Sequence, residues 1–476
     1  MLQRIHQGNV KDALDLFMRT QIAFAHCEAN GIKIDVEFLD NSIVSTKERL
    51  EQLKDFIFND TEVGRRWREI YGEQAVFTAR QQLADVLFKN KKDPHPRNMG
   101  FEAQEFTNKG AVVVSESSLE KIPEIQDFSK AYVLYMALNK MLTTNLQGIK
   151  SCLDLNNFIH PSFSLFSVVS YRTASSNPNF QNFPNHNPEL AGIVRKCFIP
   201  RSPDRHLCEL DYSGAEVRIN ASINHDPTLI GSVTRGVDFH KAIAAKSYLL
   251  EESQVTKKIR QSVKGTYTFA AFYGSYWGAI AQGLWDHIIY DGLTLDDGTP
   301  LLEHIKSKGI TELGNIEDPA PGTYAEHIKQ VDQWFWGDMF QVYGQWKNKA
   351  WREYQNCGYV NLPSGFRCAG IFSRNMITNM PAQGSAAHCL LWSFCKLNDT
   401  IKELGLQTKI CGQIHDSILI DVPHDELEDV LKLANDVMTV QLRKHYPWIV
   451  VPMEIEADVS PMGKSWYEKE AYPIPE

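Results

Sequence analysis

An α+β fold is predicted by three features: long segments with apolar residues at helical spacing, a strand-turn-helix unit around residue 211, and a strand pair around residue 416. The chain has 476 residues, which at roughly 150 residues per domain suggests about three folded units. With 43% apolar, 11% aromatic and 22% charged residues it can bury a large core, so intrinsic disorder is excluded. Lys and Arg number 49 against 58 Asp and Glu, a net charge of −9. That excludes a uniformly basic nucleic-acid coat protein but leaves room for a basic groove in an acidic body. Nine cysteines form no Cys-x-x-Cys pair, and their odd number cannot close into a complete disulfide framework, which fits a reducing compartment. No run of about 18 apolar residues could span a bilayer, and residues 1–8 lack the apolar core of a secretory signal. A cytoplasmic protein with no membrane partner is expected.

From Val10 to Asn30 the apolar residues Ala13, Leu16, Phe17, Phe24 and Cys27 fall on one helical face, and Gly31 stands where a helix ends. Asp35 is placed to cap a second helix carrying Leu39, Ile43, Leu50, Leu53 and Ile57. After Phe56 the pattern loosens, and residues 88–97 form a basic, proline-broken run expected at an exposed tip. Residues 119–146 read as a long return helix. The stretch from Ser170 to Pro184, rich in Ser, Asn and Pro, reads as loop. Leu207 to Ser213 then has the apolar run of a buried strand, followed by helical spacing from Ala215 to Ile223, which leaves Asp211 at the strand's end. Residues 227–280 are helical in pattern, and 281–325, acidic and rich in Gly and Pro, reads as a peripheral insertion. Lys409 to Ile414 and Ser417 to Val422 alternate on either side of His415 and Asp416, as in a hairpin.

Asp211 and Asp416 each stand at a strand tip among apolar residues, where a carboxylate is costly unless solvated or bound to a cation. Side by side they would make a pocket for a pair of Mg²⁺ ions. Singly, an Asp in a hairpin turn is ordinarily a turn residue and an Asp before a helix a cap. Lys257, Lys258, Arg260 and Lys264 precede the aromatic run Tyr267, Phe269, Phe272 and Tyr273. Arg260 and Lys264 are four apart and share a helix face, a cationic comb that could hold a triphosphate, with an aromatic ring beyond it to stack on a base. Alone, such a run is more often a solvated basic face.

These residues fall into an ordered set of blocks. Asp211 to Arg218 (Asp-Tyr-Ser-Gly-Ala-Glu-Val-Arg) resembles motif A of the family A DNA polymerases, the group that includes bacterial DNA polymerase I and many phage replicases. Arg260 to Gly274 resembles motif B, and Gln413-Ile-His-Asp416 resembles motif C. Tyr171 to Pro184, Val194 to Phe198 and Asn379 to Gly384 are similar to three further family blocks, in the same order. The resemblance runs from about Ala13 to Trp466.

The resemblance implies a right-hand architecture with an antiparallel palm sheet, helical fingers and helical thumb. Residues 1–30 would be a palm-associated helix, 31–150 the thumb, 151–224 the first part of the palm, 225–357 the fingers and 358–476 the second part of the palm. It implies template-directed addition of deoxynucleotides to a primer 3′-hydroxyl with release of pyrophosphate, on two Mg²⁺ ions for which Mn²⁺ could substitute. Asp211, Asp416 and the Tyr212 carbonyl would be the metal ligands. Arg260, Lys264 and His240 would grip the triphosphate, with Lys264 the proton donor to pyrophosphate. Glu216 would be the steric gate against ribonucleotides, and Phe269 and Tyr273 would line the nucleotide site. Arg172, Asn379, Gln383 and His415 would contact the minor groove or primer end, where every correct pair offers acceptors at similar places. The expected partners are primer–template DNA and dNTPs for a monomer, with room for a separate exonuclease or processivity factor. About thirty residues before the thumb are too few for a proofreading or 5′ nuclease domain, so that either another polypeptide supplies proofreading, or this sequence is a piece of a longer chain, or the enzyme lacks it. A phage replicase in the host cytoplasm is the favoured setting.

Three departures from the family pattern stand out. Lys264 to Tyr273 is one residue longer than usual, so the stacking aromatic is Phe269 counted back from Tyr273 but Thr268 counted forward from Lys264. A π-bulge would absorb the extra residue and return Phe269 to the face of Lys264, which makes Phe269 the choice and Tyr267 the reserve. Ser417 stands where an acid usually follows His-Asp, and Arg374 is one place off the family's arginine, so no role is transferred to it. Two rival readings are a single-subunit RNA polymerase, which shares the palm but must admit the 2′-hydroxyl that Glu216 would exclude, and a catalytically silent DNA-binding relative, against which both Asp residues and the cationic comb argue.

Overall fold

The computed structural model describes residues 9–89, 98–103, 106–107, 109–185 and 187–475. At its centre five antiparallel strands lie in the order Glu470–Tyr472, Ile455–Val459, Arg205–Tyr212, Ser417–Pro423, Lys409–Ile414. Along Arg205–Tyr212, Cys208, Leu210 and Tyr212 are buried while Glu209 and Asp211 alternate with them. A slip of one residue would drive both carboxylates into that core, and each buried apolar side chain is worth about 1.5–3 kcal/mol, so burial fixes the register. Tyr212 anchors the strand's end through a hydroxyl shared with Ser393 (2.8 Å) and the Met438 carbonyl (2.9 Å). Ser393 belongs to the helix Arg374–Glu403, which lies behind the sheet and is buried along most of its length. The helix Val10–Asn30 packs on it, with Arg19 paired to Asp399 at 2.9 Å. Gly31 follows that helix at φ 60°, and the Asp35 side chain caps the next helix, Val36–Asp60, by accepting from the Phe38 amide. The mixed α+β class is as expected.

The structure corrects the reading in three places. The segment after Phe56 does not loosen: the helix runs on to Asp60, and Glu62–Tyr71 and Arg80–Leu87 follow. Their apolar faces close around Trp67, Phe77, Phe128 and Tyr132 in a separate core, so tertiary packing overrides the weak local pattern. The return helix is interrupted at Pro123 and continuous only from Gln126 to Ser151, with a π-helical stretch at Met141–Leu146. The basic run at 88–97 lies outside the described residues from 90 onward.

Residues 281–325 are not peripheral. The helix Trp277–Tyr290 carries its first ten, and Leu293, Leu295, Leu301, Ile305 and Ile310 enter a third core together with Tyr267, Phe335, Phe340 and Tyr343. Asp296, Asp297, Gly298 and Gly309, part of the composition that suggested a surface loop, sit at turns between these buried positions. This core supports the helices that carry Arg260 and Lys264.

Candidate active site

Asp211 pairs directly with Ser417 across the ladder, so Asp416, one residue earlier, emerges at the same end of the neighbouring strand. The connection is His415–Asp416, with His415 exposed and at φ 48°. A buried amide holds that turn: Gln413 Nε2 donates to the His415 carbonyl at 2.6 Å. Gln413 Oε1 in turn accepts from Thr173 Oγ1 (2.5 Å) and Gln181 Nε2 (2.7 Å). On the motif A side, Gly214 takes φ 62°, a left-handed conformation that glycine adopts without strain, and turns the chain into the helix Ala215–Asn224. Arg218 clamps the turn by donating to the carbonyls of Ser213 and Pro452, each at 2.7 Å, and pairing with Glu454.

Partial burial and the charges of Asp416, Glu209 and, more weakly, Glu456 push the Asp211 carboxyl up to about 7. Two hard oxygen donors that repel each other suit a divalent cation, which relieves the repulsion. Among the described residues no group of three or more His, Cys, Asp or Glu side chains forms a cage. Burial opposes ionisation of Glu209, but Lys469, Trp466 and Arg195 outweigh it and hold that carboxyl below its usual range.

The helix Lys257–Val263, in which motif B begins, is capped by the side chain of Thr256. Arg260 Nε donates to Asp238 Oδ2 at 2.6 Å. From Lys264 to Phe269 the backbone is wound as a π-helix, the form that accommodates one extra residue. Lys264 Nζ then lies 5.8 Å from the Phe269 ring centre, and Phe269 is stacked against Tyr273 at 6.3 Å and set 5.8 Å from His240. Tyr267, the reserve aromatic, is fully buried against Phe335 and cannot reach a base. Thr268 is buried as well, its hydroxyl 3.2 Å from His240 Nδ1. Burial, then Arg260 and Lys264, lower the His240 pKa to about 4. The imidazole is therefore neutral at pH 7 in this structure.

The two halves meet at Glu216. Its carboxylate accepts from the Tyr273 hydroxyl, which Gln383 also reaches, and Arg172 lies close enough to bias both groups. Burial, with Asp416 adding to it, raises the Glu216 pKa despite the Tyr273 bond and Arg172. Asn379 spends one amide hydrogen on the Tyr273 carbonyl at 2.9 Å and so braces motif B. Sequence reading missed three neighbours. Lys347, buried among Trp336 and Tyr343, donates to the carbonyls of Ala271 (3.2 Å) and Phe272 (2.8 Å), and Asn375 donates to that of Gly274 (3.0 Å). Four successive carbonyls at the end of motif B are thus bonded by side chains from two other helices. Glu209 is the third. Only its alternation with Leu210 and Asp211 could have flagged it; nothing local marks Lys347.

Residues 47–287 and 367–468 match the model of the family described as DNA polymerase family A. A DNA polymerase of Bacillus phage SP01 is 26% identical over 373 residues, covering 77% of this chain and 37% of that protein. DNA polymerase I of Geobacillus stearothermophilus is 25% identical over 458 residues, 93% of this chain and 44% of that one. The chain therefore spans less than half the length of these relatives. Among solved structures, a POL domain of Pol1 from M. smegmatis, in complex with DNA primer-template and dNTP, superposes with a TM-score of 0.72 over 95% of this chain and 70% of its own, at 20% identity. The fold is that of such a domain. With motifs A, B and C brought together and more than half of its residues matched by the family model, the chain belongs to the family A DNA polymerases.

Proposed function

We propose that this chain is a template-directed DNA polymerase that joins deoxynucleotides to a primer 3′-hydroxyl and releases pyrophosphate. The observation that carries the proposal is the strand register that sets Asp416 beside Asp211, with Glu216 and Tyr273 linking them to Arg260 and Lys264. Asp211, Asp416 and the Tyr212 carbonyl would hold two Mg²⁺ ions, or Mn²⁺ in their place. Such ions supply charge neutralisation of the phosphates and a lowered pKa for the attacking hydroxyl.

The chain's own residues do the rest by alignment. Arg260 leaves Asp238 to bind the triphosphate, His240 donates to it, and Lys264 gives a proton to the pyrophosphate as it leaves. Phe269 offers a face to the incoming base. Glu216, fixed by Tyr273, walls off the sugar 2′ position. Arg172, Gln383, Asn379 and His415 lie at the edge where the primer terminus would rest. In this reading the core around Trp67 is the thumb, the sheet the palm, and the core around Tyr267 the fingers. Primer–template DNA and dNTPs are the partners, and the phage SP01 relative supports a replicative role in a phage-infected cell.

The test is extension of a primed template with dNTPs or rNTPs. Mg²⁺-dependent extension with dNTPs and little with rNTPs is expected. Unprimed synthesis from rNTPs would favour the RNA polymerase reading, and primed-DNA binding without extension the silent one.

A further inference from the structure

The hairpin carries no acid after Asp416, yet a carboxylate occupies the space beside Ser417. It belongs to the adjacent strand. Glu209 precedes Asp211 by two residues and so lies on the same face of the sheet. The Ser417 hydroxyl lies 2.9 Å from its Oε1 and 3.0 Å from the Ile414 carbonyl, and shares its one hydrogen between them. Its Oε2 accepts from Trp466 Nε1 at 2.9 Å and lies 2.7 Å from Lys469 Nζ, which also bonds Asp458 at 2.8 Å. Trp466 is fully buried, with the Arg195 guanidinium 4.1 Å over its ring. Glu209 is thus fastened on one side to Trp466 and Lys469. On the other it touches the residue that follows Asp416 and pairs with Asp211.

We infer that Glu209 is a positioning residue for the acid pair, supplying across the strand ladder, through Ser417, the carboxylate that the hairpin lacks. This rests on the polymerase reading. Its work is to fix where the tip bearing Asp416 stands relative to Asp211 and to add negative charge beneath the cation site. Lys469 and Asp458 keep the carboxylate from swinging into the cleft. Residues that orient ligands in this way typically change metal affinity or activity by about 10–100-fold when altered.

The experiment compares wild type with Glu209→Gln, Ser417→Ala, Glu209→Ser, Ser417→Glu and the exchange Glu209→Ser/Ser417→Glu. Two readouts are used: single-turnover extension with its dNTP dependence, and the rise in Tm that Mg²⁺ produces in the protein without DNA. Glu209→Gln and Ser417→Ala are expected to slow extension by about 10–100-fold while the dNTP KM changes by less than about threefold. Glu209→Gln should also need several times more Mg²⁺ for half of the Tm rise. The exchange should recover at least about tenfold over Glu209→Ser, a coupling between neighbours that independent sites would not show. Folded Glu209→Gln and Ser417→Ala with wild-type rates, or an exchange no better than the product of its single changes, would overturn the inference. Failure of wild type to extend would instead overturn the polymerase reading, and the Mg²⁺-dependent Tm would still decide whether Glu209 serves a cation site.

Discussion

Asp211 and Asp416 are placed by backbone: one register, sealed by buried neighbours, sets both at the end of adjacent strands. Arg260, Lys264 and Phe269 are placed by side chains. Their helix is capped at Thr256, lengthened by a π-turn, and tied at its far end by Lys347, Asn375 and Asn379. A sheet ladder can move only by breaking many bonds at once, whereas these ties can exchange one at a time. The acid pair is therefore the fixed half of the site and the cationic comb the adjustable half, where Arg260 is held by Asp238 at 2.6 Å.

The largest effect on the adjustable half is expected at its charge. Lys264→Ala should lower the single-turnover rate by about 10²–10³-fold, as loss of a group facing developing negative charge does, with DNA affinity nearly unchanged. Gel-shift and extension measurements on one preparation check both parts. A loss confined to DNA binding would place Lys264 on the duplex instead.

Next comes the joint between the halves. Glu216→Ala removes the wall and the acceptor of Tyr273, so preference for dNTPs over rNTPs should fall by roughly 10–200-fold while dNTP extension changes less. Competing dNTP and rNTP incorporation reports the ratio. If discrimination holds, the gate lies elsewhere.

The smallest effect is on the anchor. Burial, then Arg374, lower the Lys347 pKa to about 8 against an ordinary 10.5, with Asp332 opposing. Folded protein thus binds this proton less tightly than the unfolded chain, so stability rises with pH between those values, and the cost of burying the charge is present in full below pH 8. Relative to Lys347→Met, wild type should gain about 1–3 kcal/mol between pH 8 and 10 in denaturant titrations. Parallel pH curves would remove the lysine from the account.

The same contrast explains what could be read from sequence. Asp211, Asp416 and the hairpin were legible because strand alternation and turn residues are local signals, and Arg260 and Lys264 because four-residue spacing is. The extra residue before Phe269 was legible as a count, and its π-turn follows from helix geometry. Lys347 was not, since its partners Ala271 and Phe272 lie some 75 positions away and nothing near Trp346 announces them. Glu209 looked like one more strand residue until the ladder set Ser417 against it. Residues 281–325 misled because turns that cover a core have the composition of turns that cover nothing.

The central claim is that Asp211 and Asp416 act together on one reaction, and single-turnover extension by Asp416→Ala tests it most directly. The account predicts a rate at least about 10³-fold below wild type with primer–template affinity retained. Extension by the folded variant within about tenfold of wild type would contradict it.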